Sequence, residues 1–130
     1  MSSMHRTISG EVLVQHLTDD AMLIDRGLVK QHGRSARTLV KEGPLRVTMI
    51  ALAPNGTLPA HSTIGPISIQ LVEGDITITA AGKEYSLTIG DLLVVAANVE
   101  HSARSAKGGA FLLTVVHTAS AGADGPVAGP

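Results

Sequence analysis

Between Pro66 and Thr79 the chain alternates apolar and polar residues with the two-residue period of a half-buried strand, and one glycine interrupts the pattern. Ile67, Ile69 and Leu71 fall on one face of this stretch, and Ser68 and Gln70 on the other. Glu73-Gly74 reads as a tight turn, because glycine takes positive φ without strain. Ile76-Thr77-Ile78-Thr79 then reads as the returning strand. A second turn at Ala81-Gly82 leads into residues 83–89, and a third at Gly90-Asp91 leads into Leu92-Leu93-Val94-Val95-Ala96. Connections this short leave no room for the crossover that a parallel strand pair requires, so the pairing must be antiparallel. Residues 45–89 are expected to form two adjoining hairpins, with the next strand extending them into a meander.

The rest of the chain fits around this centre. Residues 45–53 read as a long strand closed by Pro54-Asn55-Gly56, and Thr38-Leu39-Val40 as a short strand ended by Gly43-Pro44. Residues 99–106 and 110–117 add two more, separated by Lys107-Gly108-Gly109. Thr18 has the character of a helix N-cap, with Asp19 and Asp20 in a first turn that favours acids. Ala21, Ile24 and Leu28 follow at helical spacing, Lys30 and His32 suit a C-terminus, and Gly33 suits the residue just past it. Gly27 in the middle of such a helix costs about 1 kcal/mol relative to alanine. Residues 11–17 fit either a short strand or a helical turn. The domain organisation expected is an N-terminal segment over residues 1–37, a barrel over 38–117, and a flexible Ala-, Gly-, Ser- and Pro-rich tail over 118–130. The fold class is all-β, an antiparallel barrel or sandwich of roughly six to eight strands.

Composition excludes several functions. With 10 basic and 11 acidic residues the net charge is -1, and Tyr85 and Phe111 are the only aromatic side chains apart from the histidines. Neither an electrostatic footprint nor a stacking platform for nucleic acid is present. The absence of cysteine removes disulfides and thiolate chemistry. Gly, Pro or charge interrupts every apolar stretch before membrane-spanning length, so no membrane partner and a cytoplasmic location are expected. Charged residues make up 16% of the chain, below the usual quarter or so. Together with the short edge strand at Thr38-Leu39-Val40, this points to a homodimer that covers part of the surface.

His61 and Gly74, then Gly90 and His101, stand at the spacing of two motifs of the cupin family, with Gly56 one residue out of place for the glycine that opens the first, and residues 45–117 resemble that family's small jelly-roll barrels. The resemblance implies a cupin-like jelly roll with a short N-terminal helical or irregular segment. In metal-binding cupins three histidines and a glutamate hold iron, manganese, zinc or nickel. Here Thr63 stands at the second histidine position and Ile67 at the glutamate position. In the second motif Ala96 and Asn98 replace the proline and glycine, and Ser105 the final asparagine.

The site expected on this basis comprises His61, Thr63, Ile67 and His101 as ligand-binding residues, with His61 and His101 as the two metal candidates. His61 and Thr63 would share one strand face, with Ile67 opposite and packed against Ile69, Leu71 and Val94. Two neutral imidazoles would hold zinc, manganese, nickel or iron only weakly, leaving the other positions to water or ligand. Gln70 is placed at solvent or an interface, His117 at a rim, and Tyr85 in the core. Glu100 should turn away from His101, since neighbours in a strand point oppositely. Arg34, Arg37, Lys41 and Arg46 form a loose basic cluster whose simplest reading is a solvated face, with an anionic ligand as the alternative. His5, His16 and His32 show no site spacing. Three functions follow in order of expectation: a small-molecule binding protein of unknown specificity, a metal-dependent oxygenase or isomerase with an incomplete ligand set, and a non-catalytic structural module.

Overall fold

The computed structural model of the protein describes residues 11–17 and 23–117. The expected helix start at Thr18 to Ala21, the first eight residues and the tail from residue 118 lie outside the described residues. Among those described, the order is helix α1 (Arg26–His32), then β1 (Arg34–Glu42), β2 (Leu45–Leu52), β3 (Thr57–His61), β4 (Ile67–Gly74), β5 (Ile76–Ala80), β6 (Lys83–Leu87), β7 (Leu92–Val95), β8 (His101–Arg104) and β9 (Gly109–Val116). Nine strands exceed the expected six to eight. They form two antiparallel sheets, one in the order β1-β2-β9-β4-β7 and the other β3-β8-β5-β6. This is a jelly roll, in which the two sheets bury their inner faces against each other. No helix among the described residues is long and apolar enough to cross a membrane.

The meander is corrected. β4 pairs with β9 and β7, whereas β5 pairs with β6 and β8 in the opposite sheet. At Glu73-Gly74-Asp75 the chain crosses between sheets instead of turning back on itself. Gly74 takes φ +71°, and its backbone lies against the start of β9 where Gly74 pairs with Gly109. The chain crosses back between β6 and β7, around Gly90 at φ +95°. The hairpin that does form is β5–β6, through Ala81 and Gly82 at φ +52° and +80°. Two successive positive φ values are the geometry that matches strand twist in a two-residue loop. β1 and β2 are joined through Gly43-Pro44, where Gly43 alone takes a positive φ, +54°.

Alternation places Ile50 and Leu52 of β2 inward with Ile67, Ile69, Leu71, Ile78, Phe111 and Leu113, all in one buried cluster. Met49 and Ala51 face outward into a second cluster with Leu23, Ile24, Leu39 and Ala110, against which Val29 of α1 packs. The N-terminal segment thus covers one sheet from outside, which is why β2 is apolar on both faces. α1 begins later than expected. Asp25 is its N-cap, accepting from the Leu28 N–H at 3.0 Å, and Gly33 ends it at φ +85°. Gly27 accordingly sits in the first turn rather than mid-helix. Residues 11–17 form neither strand nor helix.

Three further expectations change. β1 starts at Arg34, not Thr38, and carries a bulge between Thr38 and Val40. Tyr85 is 42% exposed, because it lies on β6, an edge strand beyond which no further strand lies among the described residues. Val94 is 65% exposed, and it is Val95 that turns inward opposite Ile67.

Candidate functional site

β3 and β8 run antiparallel, with His61 directly opposite His101. Directly opposed residues project to the same side of a sheet, so the two rings meet. Their centroids are 4.5 Å apart and their planes cross at 62°, an edge-on contact. Each ring is tied to its own chain two residues upstream. His61 Nδ1 lies 3.2 Å from the Pro59 carbonyl oxygen, and His101 Nδ1 lies 3.0 Å from that of Val99. A carbonyl only accepts, so Nδ1 carries a proton in both rings, and in the neutral imidazole it is Nε2 that keeps a lone pair. His101 is 6% exposed. Burial holds its imidazole below the ordinary histidine value, opposed by the bond to Val99 and reinforced by the neighbouring His61. At neutral pH His101 is therefore an uncharged base with a fixed tautomer.

The pair opens onto a cavity of about 420 Å³ between the sheets. Ile50, Ile67, Ile69, Ile78, Phe111 and Leu113 give it apolar walls. Arg34, at the start of β1, is the one charged residue in its lining. The sequence reading puts Arg34 in a basic cluster on a solvated face, with an anionic ligand as the alternative, and does not place it at the cavity. It pairs with Leu52, whose side chain belongs to the inner core, so it projects to the inner side of the sheet. The helix stop at Gly33 was the available signal that β1 starts there.

No protein-family model and no curated protein matches the chain. Solved structures do. An RmlC-like cupin from Shewanella frigidimarina superposes with a TM-score of 0.63 at 24% identity, over 65% of this chain and 77% of that one. A conserved protein of unknown function from Streptococcus pyogenes gives 0.67 at 24% identity, over 89% and 95%. The salicylate 1,2-dioxygenase of Pseudaminobacter salicylatoxidans gives 0.73 at 17% identity, over 85% of this chain but 36% of the enzyme. The fold is that of the cupins.

Within the cupin barrel His61, Ile67 and His101 line the cavity together, and Thr63 does not. β3 ends at His61, so strand alternation does not carry to Thr63. Thr63 is buried, and its hydroxyl donates to the Gly65 carbonyl at 2.7 Å. Gln70 is exposed on the outer face, and His117 follows the last strand, its N–H bonded to the Pro44 carbonyl. Glu100 is exposed while His101 is buried. Of the basic cluster, only Arg34 reaches the cavity lining.

The cupin metal set does not fit these residues. Among the described residues no group of three or more His, Cys, Asp or Glu side chains could hold a metal ion. Ile67 presents an alkyl group where the motif has a carboxylate, and Thr63 spends its hydroxyl on Gly65. Two neutral nitrogens fall short of the three protein ligands of a catalytic zinc centre.

Proposed function

We propose that this cupin barrel binds a small organic molecule between its sheets, with His61 and His101 supplying the polar contacts. One observation carries the reading: a cavity of about 420 Å³, walled by alkyl side chains, has two acceptor nitrogens on a single wall. Small-molecule sites typically enclose about 300–1,000 Å³ with apolar walls and a few convergent polar groups. A purely structural barrel would fill that space with its own side chains. The lone pair on each Nε2 suits a ligand N–H or O–H, and the aliphatic walls suit a hydrocarbon body. The oxygenase or isomerase alternative rests on a metal-holding set that the described residues do not supply. Likeness to the dioxygenase, at 17% identity, speaks for the fold alone.

The test is to fill the space. Ala103 is buried and lines the cavity, so Ala103→Phe should occupy it. A panel of small organic compounds should include members that raise the melting temperature of the wild type but not of Ala103→Phe. Equal shifts in both proteins would reject binding between the sheets.

We further propose a homodimer. β1 and β7 are the two edges of the five-stranded sheet, and Ile89, Leu92 and Val94 stand exposed at β7. A second copy would cover such an edge. Sedimentation as a monomer at micromolar concentration would reject it.

A further inference from the structure

We propose that Arg34 is the anion anchor of the cavity, so that the ligand is a small carboxylic acid with an apolar body. This rests on the reading of the cavity as a binding site and narrows its ligand class.

The lining holds one permanent cation and no carboxylate. Arg34 projects from the first position of β1 across to the other sheet, where its Nη1 donates to the Thr57 carbonyl at 3.0 Å. That bond uses one of five guanidinium N–H donors and holds the group at the mouth of the cavity. Arg26 pairs with Glu73 and Arg104 with Glu84, and neither ion pair involves Arg34. A cation fixed by a neutral carbonyl beside an alkyl-lined cavity favours an anion there, and its planar fork matches a carboxylate.

The histidines lie at the other end of the same strand. Arg34 is bonded at Thr57, and His61 closes β3 four residues later; the bulge between Leu58 and His61 sets those four steps against three of β8, a separation of roughly 10–13 Å at strand rise. The acid group would therefore sit at the mouth, the hydrocarbon against Phe111 and Ile50, and any hydroxyl or amine at the far end would meet the imidazoles. This order of polar, apolar and polar contacts excludes a compact, fully hydrated ligand such as inorganic phosphate.

The experiment compares octanoate with 1-octanol by isothermal titration on the wild type, Arg34→Gln, Arg34→Lys and Ala103→Phe. A charge-assisted hydrogen bond predicts that octanoate binds on the order of tenfold tighter than octanol to the wild type. Arg34→Gln should remove that preference while leaving octanol binding unchanged, and Arg34→Lys should keep most of it. If octanoate and octanol bind equally well, or Arg34→Gln leaves the preference intact, the anchor is overturned and the cavity reading stands. If neither binds, or binding survives Ala103→Phe, the cavity reading falls and the anchor with it.

Discussion

Gly74→Ala tests whether the crossing at the end of β4 holds the two sheets in register. An alanine at φ +71° pays the left-handed penalty, about 1–2 kcal/mol for an L-residue. Its Cβ would also stand 2.0 Å from the Gly108 carbonyl oxygen, 2.6 Å from Gly109 Cα and 2.9 Å from the Gly108 carbonyl carbon. All three are backbone atoms, so no side-chain rotation relieves the clash. Relief requires moving β4 away from β9, which strains the Gly74–Gly109 pair and the bond from the Asp75 N–H to Gly108 O at 3.2 Å. Two weakened hydrogen bonds add about 2 kcal/mol, for a total loss of about 3–4 kcal/mol. Gly82→Ala is the control. Its φ is +80°, but a Cβ there meets nothing within 4 Å, so only the conformational penalty of about 1–2 kcal/mol remains. Urea unfolding followed by circular dichroism, with unchanged slopes, measures both. In a thermal scan the pair should separate by roughly 8 °C, at about 4 °C per kcal/mol for a chain of this size. Equal losses for the two variants would refute the close-approach argument.

Ile67→Glu places a carboxyl in the cavity wall, where burial should raise its pKa and lower stability at neutral pH by about 2–4 kcal/mol. With zinc or manganese the new carboxylate could join His61 and His101, and melting curves with and without metal should then show partial recovery. An unchanged melting temperature that metal does not move would show that Ile67 does not face the two histidines. A third expectation concerns acid. Backbone N–H bonds from Lys107 and Ala106, with help from the Ser105 hydroxyl, hold Asp75 below the usual carboxylate range. The folded state then binds fewer protons than the unfolded one. The contribution is complete above the unfolded value of about pH 4 and is lost as pH falls through the lower folded value. The stability gap between wild type and Asp75→Asn should therefore hold steady above about pH 5 and narrow as pH falls below about 4, and a constant gap through the acid range would rule this out.

What the sequence disclosed was facing, and what it concealed was partnership. Ile67, Ile69 and Leu71 point inward as their alternation requires, and would do so beside any antiparallel neighbour. The period carries no record of which strand that neighbour is, so Glu73-Gly74-Asp75 fits a hairpin turn and a sheet crossing equally well. The distinguishing contact, with Gly108 and Gly109, lies far along the chain. Alternation also misleads at the ends of elements. It carried Thr63 past the end of β3, and it counted Tyr85 as core although β6 is an edge strand among the described residues. His61 and His101 were legible as motif positions. Their opposition across β3 and β8, and the role of Arg34 above them, required the register.

The positions that depart from the cupin motifs have structural partners of their own here, and those partners limit how simply a metal centre could be restored. Asn98 stands where the motif has glycine, at φ +65°, and asparagine is among the few other residues that accept this conformation readily. Its N–H donates to the Thr63 carbonyl at 2.7 Å, while the Thr63 hydroxyl caps Gly65. Thr63 therefore joins the connection after β3 to the turn before β8. Ser105, at the asparagine position, donates to Asp75 and accepts from the Gly108 N–H at 2.8 Å, beside the crossing that Gly74 permits. Ile67 fills core space against Val95 and Val115. Changing Thr63 to histidine would remove a buried, bonded hydroxyl from a segment that has left the strand, so its ring would not inherit the inward facing of His61. Of the two motif positions, Ile67 is the one that lines the cavity with its facing fixed by β4, and for that reason Ile67→Glu, and not the threonine change, is the variant on which metal binding should be sought.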